Sequence, residues 1–313
     1  MQKTAISTRD MERRDWLKAR QKGIGGSDVA AILGLNPWKT PLDVYLEKVE
    51  QKPTERPENA KMKAGKMLED TIANYFIDET GHKVVRDNKI RIHPNFKHLL
   101  ANIDRIILSS NDKGTGVLEV KASSGQLVRS FEKDEWPVPP YWYCQLQHYL
   151  NVTGYSWGAI AYLVDGWDFH FQYFEADQEL IRDMTGKLNE FWEGHVLSGI
   201  PPEPINEKDV MMLYPGARED SQLEAKDEVY DMWLELKRVD ESLKTYKEMR
   251  DKIAEQIKMV LRDNERLTYG GETLVTWKAS TSNRVDSKKL QKLYPDVYRE
   301  VTNESISRRF LIK

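Results

Sequence analysis

Cysteine is nearly missing from this sequence. Cys144 is the only one, which excludes an internal disulfide and any zinc site built from several thiolates. A bound metal would therefore be held by oxygen or by histidine nitrogen. No stretch approaches the roughly 18 consecutive apolar residues of a membrane span. The N-terminus opens on polar and charged residues instead of the apolar centre of a secretory signal, and the expected location is the cytoplasm. An excess of one charge is also lacking: 47 basic against 50 acidic residues leave a formal charge of -3. That gives no global pull toward nucleic acid, so DNA binding would need a local basic surface. Internal repeats and low-complexity tracts are missing too. What is present, 40% hydrophobic and 31% charged residues in 313, suits a soluble protein with a large core.

Composition shifts across residues 200–222, where Ile200-Pro201-Pro202-Glu203-Pro204 opens a linker. This predicts a first domain over 1–205 and a C-terminal extension over 206–313. In the first, helices are expected at roughly 9–21, from Ser27 onward, and at 61–80. Strand-like runs follow at 83–92, 98–108 and 115–122, the last two joined by a turn at Asn111-Asp112-Lys113-Gly114. Pro139-Pro140 precedes a helix to about Val152, Val164-Asp165-Gly166-Trp167 turns between two more strands, and a helix near 177–198 closes the domain. The mixed order defines an α/β (α+β) class.

In the extension, Val229, Met232, Leu236, Val239, Leu243 and Tyr246 recur at alternating steps of three and four. Met249, Ile253, Ile257 and Val260 continue after a slip. This reads as one long helix or a helical pair, about 60 Å long if about 40 residues are continuous. Residues 272–278 and 309–313 read as short strands that pair around a helix near 286–294.

Two carboxylates stand where a buried sheet would not place them. Asp104 interrupts the apolar run Leu99-Leu100-Ala101-Asn102-Ile103-Asp104-Arg105-Ile106-Ile107, and burying an unpaired carboxylate is costly. In the next strand Glu119 and Lys121 are two apart and share a face around Val120. Two carboxylates with the Val120 carbonyl make a hard oxygen site suited to Mg²⁺ or Mn²⁺, with Lys121 placed to orient or deprotonate a water. An exposed hairpin can also carry Asp, Glu and Lys by chance. Upstream, Glu69 borders the apolar stripe Leu68, Ile72 and Phe76, so it can face the metal or lie in solvent. Downstream, Gln145 and His148 neighbour each other on the helix after the hairpin. An aspartate followed by Glu-x-Lys after a short hairpin resembles the PD-(D/E)xK nuclease superfamily, with Ile103 where the motif's name carries proline.

A second constellation lies near the N-terminus. Gly23-Ile24-Gly25-Gly26-Ser27-Asp28 leads into Val29-Ala30-Ala31-Ile32-Leu33, with Ser27 as the natural N-cap and glycines that let backbone approach a ligand. Exposed amides at a helix start favour an anion. The Gly-Lys-Ser/Thr ending of a P-loop is missing. With Arg20 one turn earlier, a terminal phosphate suits the site; the alternative is a capped turn beside a solvated arginine.

Arg20 and Ser27 seven positions apart, Gly25-Gly26-Ser27-Asp28, the helix with Glu69, then Asp104, Glu119-x-Lys121 and Gln145-x-Gln147 together resemble the YqaJ-type viral recombinase family, which is similar to lambda exonuclease. Leu35-Asn36-Pro37-Trp38 and Tyr45-Leu46-Glu47-Lys48 add to the likeness, which covers about residues 9–200. The resemblance implies a PD-(D/E)xK restriction-endonuclease-like core, a mixed sheet flanked by helices, working as a 5′-to-3′ exonuclease on linear double-stranded DNA. It implies 3′ single-stranded tails for a phage single-strand annealing protein, and a ring-shaped homotrimer. Asp104, Glu119 and the Val120 carbonyl would hold Mg²⁺ (or Mn²⁺), Glu69 would support a second ion or its waters, and Lys121 would assist the nucleophile. Arg20, Ser27 and Gln145 would grip the 5′ phosphate. Asn102 stands where the lambda-like pattern has a phosphate-binding serine. Trp38 could act at the duplex end, though burial in the core is its expected place. An endonuclease of the same superfamily and a non-catalytic DNA-binding scaffold are the competing readings.

Overall fold

The computed structural model describes residues 5–50, 59–108, 113–133, 136–303 and 307–312. The chain divides into two compact units, Met1–Val210 and Met211–Lys313. In the first, β1 (Ala5–Ser7) precedes helices α1 (Arg13–Gln21), α2 (Gly26–Ile32), α3 (Pro41–Val49) and α4 (Ala60–Thr80). Strands β2 (Val84–Arg86), β3 (Lys89–Ile92), β4 (Leu100–Asn102), β5 (Arg105–Ile107) and β6 (Gly116–Ser123) follow. Helices α5 (Gly125–Lys133) and α6 (Pro140–Thr153) lead to the hairpin β7 (Trp157–Val164) and β8 (Asp168–Glu175). Helix α7 (Gln178–Phe191) then widens into a π-helical stretch, Trp192–Leu197, and α8 (Glu207–Leu213) reaches the unit boundary.

The main sheet has the order β2-β5-β6-β7-β8. Its pairs are antiparallel except β6 with β7, which run parallel from Val117 opposite Gly158 to Ser123 opposite Val164. A parallel pair needs a crossover, and α5 with α6 supplies it. Every residue of β7 is buried, as a strand covered on both faces requires. On one face Ile72, Ala73 and Phe76 of α4 pack with Leu118, Val120, Ala159 and Ala161. Residues of β6 alternate, so Val117, Glu119 and Lys121 face the other side, toward α6.

The runs at 83–92 and 98–108 are each broken in two. Their hairpin starts in the main sheet as β2 with β5 and continues in a second sheet, β1-β3-β4. Arg86 lies opposite Arg105 and Ile90 opposite Asn102, so residues 87–89 face only 103 and 104. That unequal count is a bulge. A continuous apolar run hides it because both halves keep the alternation, and the bulge takes Asp104 out of the ladder.

Other expectations also need correction. Helix α1 starts at Arg13, after an unforeseen strand β1, and α5 was not foreseen. The N-cap of α2 is Gly25, whose N–H is accepted by Asp28 Oδ2 at 3.1 Å. Ser27 lies inside the helix and its hydroxyl is engaged by Arg20. Trp38 is 71% exposed instead of core, because Asn36 Oδ1 accepts the N–H groups of Trp38 and Lys39 and turns the chain outward. The Asn111-Asp112-Lys113-Gly114 turn lies partly outside the described residues.

In the second unit the heptad-like segment is one helix, α9 (Asp227–Leu261), of 35 residues. Strands β9 (Arg266–Tyr269) and β10 (Glu272–Thr276) and helices α10 (Ser287–Leu293) and α11 (Pro295–Val301) follow. Strand β10 pairs with β9 across Gly270-Gly271, both with positive φ, and the described residues of 309–313 carry no strand. A Gly-Gly hairpin closes a far shorter loop than a pairing across roughly thirty residues. Among the described residues no helix is long and apolar enough to cross a membrane.

Candidate active site

The bulge between β4 and β5 points Asp104 at the neighbouring strand, where its Oδ2 accepts the Val120 N–H at 3.3 Å. On that strand Lys121 Nζ donates to Glu119 Oε1 at 2.6 Å and to Gln145 Oε1 at 3.0 Å. Asp104, Glu119, Lys121 and Gln145 are therefore brought together. Glu119 is 1% exposed, and its buried Oε2 has no hydrogen-bond partner among the described residues. Burial, then the charge of Asp104, pushes the Glu119 carboxyl up to about 8 despite Lys121. Burial works against the charge on Lys121, but Glu119 and Asp104 outweigh it and hold the ammonium protonated.

Glu69 of α4 lies at the margin. Burial and then Asp104 raise its carboxyl pKa, while Arg105 and Arg86 oppose the rise. Among the described residues no three His, Cys, Asp or Glu side chains converge on one point. Glu69 thus stands beside the Asp104 and Glu119 pair instead of closing a cage with it. Its neighbour Asp70 is taken by Arg86 and Arg105, and the latter steadies the bulge by donating to the Asp104 carbonyl at 2.8 Å.

Helix α6 joins this pair to the N-terminal loop. Gln145 Nε2 donates to Glu119 Oε1 at 2.7 Å and to the Tyr149 hydroxyl at 2.9 Å. Tyr149 lies so close to Gly26 that a Cβ there would come within 2.4 Å of the ring. Glycine is required at that contact. Arg20 Nη2 donates to Ser27 Oγ at 2.8 Å, and its guanidinium stacks on Trp16, 4.8 Å from the ring centroid. The glycine loop, Arg20 and the carboxylates thus border one another. Tyr149 was not foreseen, although its i, i+4 spacing from Gln145 is a readable signal. His148 is structural: it is fully buried, and its Nε2 pairs with the Leu100 carbonyl at 2.9 Å.

Beneath the loop, Asp28 is 1% exposed and accepts from Lys39 Nζ at 2.8 Å, Lys48 Nζ at 2.6 Å and the Gly25 N–H. Burial alone would raise its pKa, but Lys48, Lys39 and Arg20 together hold it below the usual carboxylate range. Lys48 also donates to the Arg20 carbonyl at 3.2 Å, tying the end of α1 to the start of α2. The sequence reading gave these residues no role.

The donor set fits a hard divalent cation. Two carboxylates and a strand carbonyl are oxygen ligands of the right type, and Glu119 Oε2 is a buried acceptor left unsatisfied by the described residues.

The mixed sheet, flanked by helices, brings Asp104, from the bulge before β5, beside Glu119 and Lys121 of β6, the arrangement that a PD-(D/E)xK motif calls for. Residues 15–156 match the YqaJ-like viral recombinase domain. The chain is 36% identical over 316 residues to the uncharacterized protein YqaJ of Bacillus subtilis (strain 168), covering 97% of this chain and 95% of that protein. It belongs to the YqaJ-like viral recombinase family. The alkaline exonuclease LHK-Exo of Laribacter hongkongensis is similar in structure, with 21% identity over 59% of this chain and 93% of that one. Its TM-score is 0.49 alone and 0.50 in complex with dAMP, and the latter likeness is one of fold.

Proposed function

We propose that the protein is a metal-dependent 5′-to-3′ exonuclease on linear duplex DNA, leaving 3′ single-stranded tails for recombination by strand annealing. The observation that carries this reading is the hydrogen-bonded path Glu119–Gln145–Tyr149 ending against Gly26. It supports reading the glycine loop as an end-phosphate site next to the residues that cleave the phosphodiester. In this reading Arg20, Ser27 and the amides of the glycine loop bind a terminal 5′ phosphate, and Gln145 lies between loop and cleavage site. Asp104, Glu119 and the Val120 carbonyl would hold Mg²⁺ or Mn²⁺, and Glu69 would support a second ion or its waters. When bound, such a cation would lower the pKa of a water and offset charge on the phosphate. Lys121, kept as an ammonium, orients that water and faces the charge developing on the phosphoryl oxygens. Water attacks phosphorus and the bond to the 3′ oxygen breaks, releasing a nucleotide with a 3′ hydroxyl and leaving a new 5′ phosphate on the shortened strand. A single-strand annealing protein takes up the tail, and a homotrimeric nuclease ring encloses the duplex.

Degradation of linear, closed circular, 5′-phosphorylated and 5′-hydroxyl duplexes, with and without Mg²⁺, tests this reading. Linear 5′-phosphorylated DNA should be cut fastest, and only with the metal. Cutting of closed circles at a comparable rate would make the protein an endonuclease of the same superfamily, and no cutting of any substrate would leave a DNA-binding scaffold.

A further inference from the structure

Helix α9 carries an apolar seam that is longer and more regular than its amino-acid pattern first suggests. The seven-residue repeat Val229, Leu236, Leu243, Arg250, Ile257 runs without interruption, and a second row of five runs from Met232 to Val260. The slip read at Met249 disappears once Arg250 is placed in the first row. Nine of the ten positions are apolar, as in the a and d rows of a coiled coil. Within the described residues of its own unit the seam stays largely uncovered: Leu243 is 60% exposed, Tyr246 69% and Val260 70%. A helix of this length with an apolar stripe facing water is poorly stabilised alone.

We propose that α9 is a self-association element whose partner is the same helix of a second copy, packed antiparallel over its full length. The charges choose the occupant and its direction. Aligned with Val229 opposite Val260 of the partner, every position of the first row meets one of the second row. Leu243 meets Tyr246 at the centre, and the charged Arg250 lies against Val239. On the flanks Asp240 falls beside Lys247 of the partner, twice by symmetry, and Trp233 falls beside Ala254, large against small. The other flank pairs Glu235 with Gln256, so no like charges meet. A parallel pair would bury Arg250 against Arg250 and set Glu235 beside Asp240 on both sides. In isolation the Arg250 guanidinium donates to its own neighbour Asp251 at 2.8 Å on the exposed surface, so it can remain at the edge of the seam with its stem packed on it.

This inference does not depend on the nuclease reading. Mass measurement by light scattering on the full chain at several micromolar concentrations should give a species of twice the mass of that formed by Leu243→Asp/Tyr246→Asp. Equal masses for the two proteins would overturn the proposal. Direction is tested by charge reversal: Asp240→Lys should weaken association by about tenfold, because two attractive contacts become repulsive, and adding Lys247→Asp should restore it. Tighter association of Asp240→Lys would mark a parallel pair, in which the new lysine meets Glu235. Oxidative crosslinking gives an independent reading. Positions 229 and 260 of one helix are about 46 Å apart. A mixture of Val229→Cys and Val260→Cys chains should therefore form disulfide-linked dimers while neither variant does so by itself. Self-crosslinking of Val229→Cys, or no crosslink in the mixture, would refute the antiparallel alignment.

Discussion

Two carboxylates of the first unit are equally buried, Glu119 and Asp28 at 1% exposure each, and they have opposite electrostatic fates. Asp28 is saturated by two lysines and a backbone N–H, and its charge is stabilised. Glu119 shares one lysine with the field of Asp104, keeps an oxygen without a partner among the described residues, and is pushed toward its neutral form. Burial is the same; compensation is not. A buried charge whose partners are complete holds structure together, whereas one left short of positive charge is a place where a cation or substrate can complete the set.

The largest expected effect separates the two directly. Lys121→Ala or Glu119→Gln should lower cleavage of linear duplex by about a hundredfold or more in a gel or fluorescence assay. Metal-free Glu119→Gln should at the same time gain on the parent as pH rises from the ordinary carboxylate range to about 8, where the unfolded parent releases the proton that its folded form retains, by a few kcal/mol once pH 8 is passed. A variant that cuts normally would remove Glu119 from the site, and one that loses stability would make it structural. Asp28→Asn should do the reverse, costing about 3–5 kcal/mol in denaturant unfolding by stranding buried lysines. A stability change within error would show that the lysines find other partners.

A smaller effect is expected from pH. Burial holds His148 at about 4 against an ordinary value of 6.5, so between those values the unfolded chain binds a proton that the folded chain refuses. Stability should be complete above the ordinary value and fall as pH drops through this window, by about 3 kcal/mol from this group. In His148→Gln, which keeps a donor for the Leu100 carbonyl, the acid limb should flatten; an unchanged limb would assign the loss to other groups. Smallest is Arg20→Ala, which should slow degradation of 5′-phosphorylated ends about tenfold more than of 5′-hydroxyl ends. Equal losses on both substrates would make Arg20 a general backbone contact.

Residue chemistry and spacing alone settled which strand carries Glu119-Val120-Lys121, because side chains two apart share a face, and that α4 presents Ile72 and Phe76 to the core, because helical periodicity is local. The same kind of pattern marked Asp104 as out of place in an apolar run. What it could not carry was the bulge, since alternation continues on both sides of Ile103-Asp104 and only the pairing of β3 with β4 and β2 with β5 exposes the uneven count. Nor could it rank Asp28 against Glu119: each is a single acid beside apolar residues, and the lysines that complete Asp28 are Lys39, just before α3, and Lys48, near its end. Trp38 misled for a related reason, because aromatic character predicts burial on average while the Asn36 turn decides the direction of the chain there. Local periodicity is written in consecutive residues and can be read from them; compensation of a buried charge depends on which distant groups the tertiary fold brings within hydrogen-bond distance.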